Sequence, residues 1–297
     1  MELKKILAVG AAVAISLGAR AGTSEEVSSS NEFGLLKIVS SSSRIILGVP
    51  WCACSGEDSD RDIMVKDLVS TRGLDVGSTL NAYDADGRSY HSWRVNAEHE
   101  WEGVTEVCLE NGIQSFGTTY ETDTLKRGVG LVLLRYNNSG SNPIYLHGQL
   151  AKVSGGAQGG TIVGGTEDAP AYTLVACPND AAWKPNLNLV FTGDSDLSDY
   201  DGDELIGLMD NGTQYRLFWV ANQDSIKKLK KNGTFTNPGW YSIYSKTTTK
   251  TGPGGRIITT TTQTLQLDDK KVDAGIGFWY VSKSGNDRTF SWSWTAE

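Results

Sequence analysis

Histidine is scarce, with only His91, His99 and His147 in 297 residues. Few side chains can therefore titrate near neutral pH, and acid–base chemistry would rest mainly on carboxylates. A Cys108–His99 pair is conceivable in a secreted hydrolase, but no local signature accompanies it. Cysteine is nearly as sparse. Cys52, Cys54, Cys108 and Cys177 match no zinc spacing. In an exported chain they permit one disulfide, from Cys108 to either Cys52 or Cys54. Basic charge is short too: 27 Lys and Arg stand against 35 Asp and Glu, a net charge of −8. Such a chain repels phosphate backbones, which argues against a nucleic-acid partner. Past residues 6–17 no run approaches the roughly 20 apolar residues that a membrane helix needs.

That early run follows Lys4 and Lys5 and precedes Ala19-Arg20-Ala21, the three-part pattern of a secretory signal peptide. Residues 1–21 are read as that peptide and 22–31, small and polar, as a flexible leader. The expected location is outside the cytoplasm: extracellular, on the cell surface or periplasmic, with no transmembrane segment after cleavage.

What is present is a repeat. Gly77, Leu80, Gly87, Tyr90 and Val95 recur as Gly202, Leu205, Gly212, Tyr215 and Val220, at an offset of 125 (202 minus 77) without a gap. Asp86-Gly87 and Asn211-Gly212 sit between alternating apolar runs, so residues 77–95 and 202–220 read as hairpins with tight turns. An apolar strand ended by proline opens each copy, at 46–50 and 174–178, and puts Cys177 where the other copy has Val49. Cys177 thus reads as a small core hydrophobe. Gly128-Val129-Gly130 and Gly275-Ile276-Gly277 open a closing strand in each copy. Neither has the third glycine of a dinucleotide fingerprint, so they imply close backbone packing instead.

The expected fold is all-β: two tandem, duplicated antiparallel sandwich-like or barrel-like domains, at 32–153 and 170–297, joined by a glycine-rich linker at 154–169. The closing run Gly275-Ile276-Gly277-Phe278-Trp279 resembles that of a poorly characterised group of exported bacterial all-β two-copy proteins. The first copy departs from it, with Leu131-Val132 in place of Phe-Trp. The resemblance implies location and fold class, and no activity.

Three features bear on function. The first is acidic: residues 194–204 hold six carboxylates and no base. Asp194, Asp196, Asp199 and Asp201 are candidate calcium ligands, although a solvated acidic loop is the favoured reading and no other cofactor is indicated. The second is aromatic. Phe290, Trp292 and Trp294 alternate with serines and share one sheet face. As part of a closing strand they suit a core; exposed, with Trp219, Trp240 and Tyr241, they would form a platform for sugar rings. The third lies in the second copy alone. Threonine-rich arms flank a Gly-Pro-Gly-Gly turn across 245–264, which reads as a long hairpin with little apolar face. Thr247, Thr249, Thr251, Thr259 and Thr261 mark it as a candidate assembly element. A short basic helix precedes it, capped by Asp224 or Ser225, stopped by Gly233 and carrying lysines at 227–231. The equivalent stretch of the first copy, 98–102, is acidic, so opposite charges could bring copies together.

No cluster specifies a reaction. The expected function is a non-enzymatic structural or adhesion protein acting through contacts with itself or a surface partner. The alternatives are a polysaccharide-binding module and a secreted hydrolase.

Overall fold

The computed structural model describes residues 33–50, 62–83, 89–108, 113–116, 124–125, 128–137, 142–149, 160–177, 182–192, 200–208, 213–283 and 285–292. The leader segments, both hairpin turns at Asp86-Gly87 and Asn211-Gly212, and residues 154–159 of the expected linker lie outside that set.

In chain order the first half forms β1 (Phe33–Ile38), β2 (Arg44–Gly48), β3 (Ile63–Met64), α1 (Val65–Leu68), β4 (Thr79–Tyr83), β5 (Ser89–Val95), β6 (Trp101–Cys108), β7 (Ile113–Phe116), β8 (Thr124–Leu125), β9 (Gly130–Leu134) and β10 (Ile144–Gln149). The second half forms β11 (Gly160–Ile162), β12 (Ala171–Ala176), α2 (Pro185–Asn188), β13 (Leu189–Thr192), β14 (Glu204–Leu208), β15 (Gln214–Val220), α3 (Gln223–Lys228), β16 (Asn232–Gly233), β17 (Gly239–Thr251), β18 (Ile257–Leu267), β19 (Gly277–Ser282) and β20 (Arg288–Trp292). The protein is all-β, with three short α-helices among the described residues.

One sheet runs β2-β9-β4-β5-β6-β7 and the other β12-β19-β14-β15-β17-β18-β16. The named strands therefore follow the same order in both, apart from the added β16. Every named pairing is antiparallel except β16 with β18. Smaller sheets, β1-β10 and β11-β20-β13, complete each half. The two expected hairpins are present as the pairs β4-β5 and β14-β15. Each follows a glycine held at positive φ, Gly77 at 92° and Gly202 at 88°, a conformation that side chains with a Cβ rarely adopt.

Apolar alternation explains the cores. Ile45, Leu47, Leu80, Leu131 and Leu133 point into the first cluster, with Trp93 and Trp101. Val175, Cys177, Leu205, Leu217, Phe278 and Tyr280 point into the second, with Trp183, Trp219, Trp240 and Trp292. Cys177 and Val49 are both fully buried, in keeping with a hydrophobe at that place. β2, β9, β12 and β19 are apolar on both faces because each also meets the other half. Ile46, Val132 and Leu174 form a separate cluster with Tyr83, Leu208 and Trp279 packed around it. The Tyr83 and Trp279 rings meet edge to face at 4.9 Å.

Glycine sets the closeness of that seam. A Cβ on Gly130 would stand 2.2 Å from Cγ of Leu174, and one on Gly48 would stand 2.9 Å from Cβ of Ala176. The Gly48 N–H donates to the Gly275 carbonyl at 2.9 Å. The Gly-x-Gly pairs thus serve close approach. The expected linker needs correction at its C-terminal end. Residues 160–162 form strand β11 against β20, and a Cβ on Gly165 would meet the Ala171 backbone at 2.2 Å. These glycines are there for packing, which composition alone does not separate from flexibility. The basic helix also differs from expectation. Its cap is Asn222, whose side chain accepts from the N–H groups of Asp224 and Ser225 while the Ser225 hydroxyl oxygen accepts from the Asn222 N–H. It ends at Lys228, and Gly233 belongs to β16 rather than stopping the helix.

The seam makes a direct prediction. Gly130→Ala should lower stability by about 1–3 kcal/mol through overpacking, read as a fall in the urea midpoint. The same change should cost less in a Leu174→Ala background, since the two sites share one contact.

Candidate functional site

The carboxylates at the end of the acidic stretch are not solvated. Asp203, fully buried, accepts from the Tyr280 hydroxyl at 2.5 Å and from the Lys283 N–H at 2.8 Å, and pairs with Arg288. The Arg288 guanidinium lies 4.3 Å above the Tyr200 ring. Glu204, also buried, pairs with Lys283 and with Arg216 at 3.1 Å. Ser78 stands at the matching place of the first half and accepts from the Tyr136 N–H at 3.3 Å. The Asp203, Tyr280 and Arg288 side chains of this cluster are buried and bonded to one another, so they tie the start of β14 to β19 and β20. Burial pushes the Asp203 carboxyl up, against the opposing pull of Tyr280, Lys283 and Arg288.

The calcium candidates divide. Asp194, Asp196 and Asp199 lie outside the described residues. Asp201 accepts from the Ala221 N–H at 3.0 Å and the Ser225 hydroxyl at 2.7 Å, which uses it as an anchor for α3. Among the described residues no group of three His, Cys, Asp or Glu side chains could hold a metal. Cys52, Cys54 and the Cys108 side chain also fall outside the description.

The aromatic platform is corrected. Trp240 and Tyr241 are fully buried, and Trp292 and Trp219 are nearly so; Trp294 lies outside the described residues. Trp292 meets Trp183 edge to face at 4.9 Å, and Trp219 meets Trp240 at 5.2 Å. Their faces are occupied by one another, so no sugar ring can stack on them. Alternation correctly puts Phe290 and Trp292 on one face, but that face is the one the core covers.

The threonine-rich hairpin is the longest exposed stretch among the described residues. β17 begins inside the core at Trp240 and Tyr241, and its residues 244–251 are all exposed. β18 returns with residues 257–263 exposed. At roughly 3.3 Å per residue the eight exposed positions of β17 reach about 26 Å beyond the body. The ladder is unbroken from Tyr241↔Leu267 to Thr251↔Ile257. Opposed residues share a face, so Ser245, Thr247, Thr249 and Thr251 lie with Gln263, Thr261, Thr259 and Ile257. The other face carries Lys246, Thr248 and Lys250 with Thr262, Thr260 and Ile258. Thr247 and Thr261 hydroxyls are 3.2 Å apart.

Its root is firmly held. The Asn186 amide donates to the carbonyls of Trp240 and Asp268 at 2.9 and 2.7 Å, and its oxygen accepts from the Trp240 N–H at 2.6 Å. The Tyr241 hydroxyl donates to the Asn237 carbonyl at 2.9 Å. β16 flanks β18 only at Thr264 and Leu265, and β15 leaves β17 after Ser242.

Beside the root, α3 buries Ile226 against Phe218, Tyr241 and Leu265, with Leu229 packed at the edge. Lys227, Lys228 and Lys230 are exposed, while Lys231 is half-buried and reaches the Gln263 side chain at 3.1 Å. An open cleft of about 440 Å³ lies between this loop and the arm, lined by Lys230, Lys231, Asn232, Thr261, Thr262 and Gln263. Residues 226–267 hold seven bases, four at 227–231 and three on the arm (Lys246, Lys250, Arg256), and not one Asp or Glu. A basic arm on an acidic protein is a signal that was open to inspection of the sequence and was missed there.

The chain matches no protein-family model, and no curated protein or solved structure matches it.

Two buried phenols give a pH test. Burial and Asp203 hold the Tyr280 hydroxyl well above its ordinary value of 10, and burial with Asp268 does the same for Tyr215. Above pH 10 the unfolded chain loses these protons while the folded chain keeps them. Stability should therefore fall as pH rises past about 10. Absorbance at 295 nm should show Tyr280 and Tyr215 ionising only as the tryptophan emission reports unfolding, with one fewer such tyrosine in Tyr280→Phe.

Proposed function

We propose that this is an exported, non-enzymatic structural or adhesion protein that works through protein contacts, with the arm formed by β17 and β18 as the contact element. The observation that carries the reading is the arm's exposure on both faces and along both edges. A two-stranded ribbon is marginal in water by itself. Backbone groups on its edges gain most from a further strand supplied by another chain. Its threonines favour extended backbone without offering apolar surface to a core. Its rigid root would carry a docking force into the body.

The polysaccharide-binding and hydrolase readings lack an observation of this kind. Trp219, Trp240, Tyr241 and Trp292, the described rings that would have carried the former, are buried, and among the described residues Asp203 is closed off with its partners.

Replacing residues 246–262 with an Asn-Gly turn closes Ser245 onto Gln263, its present cross-strand partner. The variant should keep the tryptophan emission of the parent, because Trp219 and Trp240 lie below the cut. It should lose most of the parent's retention on the producing cells. A variant that folds and is retained as well as the parent would remove the arm from the function.

A further inference from the structure

We propose that the cleft between the end of α3 and β18 binds a compact anionic sugar, whose acid group is held by Lys230 and Lys231 and whose hydroxyls meet the amide and hydroxyl groups around them. This goes beyond the contact function above and needs no protein partner.

The turn that ends α3 supplies both lysines. The Lys230 N–H donates to the Lys227 carbonyl at 2.9 Å and the Lys231 N–H to the Ile226 carbonyl at 3.4 Å, the paired bonds with which a helix commonly closes through one left-handed residue. Glycine is the usual occupant of that place, yet here it is Lys230, at φ 53°. The chain thus keeps a lysine where the backbone favours glycine. Lys231 follows it, half-buried, and donates to the Gln263 side-chain oxygen at 3.1 Å.

Neither ammonium group is matched by a carboxylate. Lys227 pairs with Asp224 at 2.7 Å and Lys228 lies 3.8 Å from Asp201, whereas no ion pair joins Lys230 or Lys231 among the described residues. Residues 226–267 hold seven bases and no acid. Lys246 stands opposite Thr262 in the ladder, so its charge lies on the face that Thr262 brings to the cleft. The Asn232 and Thr262 side chains make no hydrogen bond with the described residues. Backbone adds to this supply: β16 flanks β18 only at Thr264 and Leu265, and an unpaired strand edge presents N–H and C=O groups along Thr261–Gln263.

The lining also says what kind of ligand fits. Lys230, Lys231, Asn232, Thr261, Thr262 and Gln263 enclose about 440 Å³, within the roughly 300–1,000 Å³ of small-ligand sites. Ammonium groups suit an oxyanion, and amides and hydroxyls, which both donate and accept, suit the hydroxyls of a sugar. A protein partner finds no apolar pocket there to anchor in. Charge outside 226–267 sums to −8 − 7 = −15, so a long polyanion leaving the cleft would be repelled, while a compact ligand stays within the basic patch. Recognition is by charge and hydrogen bonds, so the burial of the tryptophan faces does not bear on it.

The test is calorimetric titration of the full-length protein at low ionic strength, with galacturonate and glucose 6-phosphate as probes. At least one should bind, one per chain, and more weakly as salt is added. Galactose and glucose, which lack the charge, should bind more weakly by about tenfold or more. Lys230→Gly should weaken binding by about tenfold or more while its urea midpoint stays at or above that of the parent, because glycine suits the turn; loss of ligand is thereby separated from loss of fold. Lys250→Gln removes the same charge further out on the arm and should bind as the parent does. The proposal is overturned if neither probe binds, if the uncharged sugars bind as well, if inorganic phosphate binds as tightly as the probes, if Lys230→Gly binds like the parent, or if Lys250→Gln weakens binding as much as Lys230→Gly. Polygalacturonate that binds more tightly per uronate than galacturonate, by about tenfold or more, would overturn the compact ligand and assign the patch to a polymer.

Discussion

Most of the architecture depends on four strands being covered twice. β2, β9, β12 and β19 each send alternate side chains into their own core and into the seam between the halves. An ordinary antiparallel sheet can leave one face to water; these strands cannot, and consecutive buried positions along each of them record it. The seam is thin because glycine stands where the backbones come closest, and Leu174 fills the space over Gly130. Larger residues at those positions would force the sheets apart and strand Ile46, Val132 and Trp279 against water. The position of everything at the far side of each sheet follows from this contact.

The two halves solve the same geometric problem with different chemistry. At the start of the β14 hairpin the second half buries a carboxylate and answers it with Tyr280, Lys283 and Arg288. The first half has Ser78 there, and its Arg135 donates to the Ser40 and Asn142 carbonyls at 2.7 Å. A buried ion pair is weak evidence of stability. Here its members come from three strands, which makes it a device for fixing their mutual placement. The aromatic core around Trp183, Trp219 and Trp240 follows the same division: the second half carries the long arm and has the more aromatic core beneath it.

Much of this could be read from residue order. Alternation and a glycine at each start located both hairpins, because side-chain period and positive φ are local properties. Threonine-rich arms around Gly252-Pro253-Gly254-Gly255 located the long ribbon for the same reason, although β17 begins at Gly239, earlier than the threonines indicate. What could not be read depends on partners distant in the chain. Asp203 looked like one more member of an acidic loop, since Arg288 is 85 residues away. The ring-bearing face of β20 was legible as a face, but nothing local says which side of a sheet is covered. Asn222, Asp224 and Ser225 all suit a helix cap, and only the reciprocal bonds between Asn222 and Ser225 decide among them. Glycines at 160, 164 and 165 had the composition of a flexible joint, while their function is to let β11, β12 and β20 approach.

β17 passes without a break from Trp240, wedged in the core, to Thr251 at the tip of the arm. Tension applied at the tip therefore runs along the strand axis, perpendicular to the ladder bonds that hold β17 to β15 and β18. Bonds loaded that way share the pull and must slip together, unlike a ladder peeled rung by rung. The Asn186 amide, bridging Trp240 and Asp268 at the foot of both strands, clamps the ribbon where that shear would begin. Such an arm resists being drawn out of the body far better than its solvent exposure suggests, and under load the weaker joint would be whatever it grips.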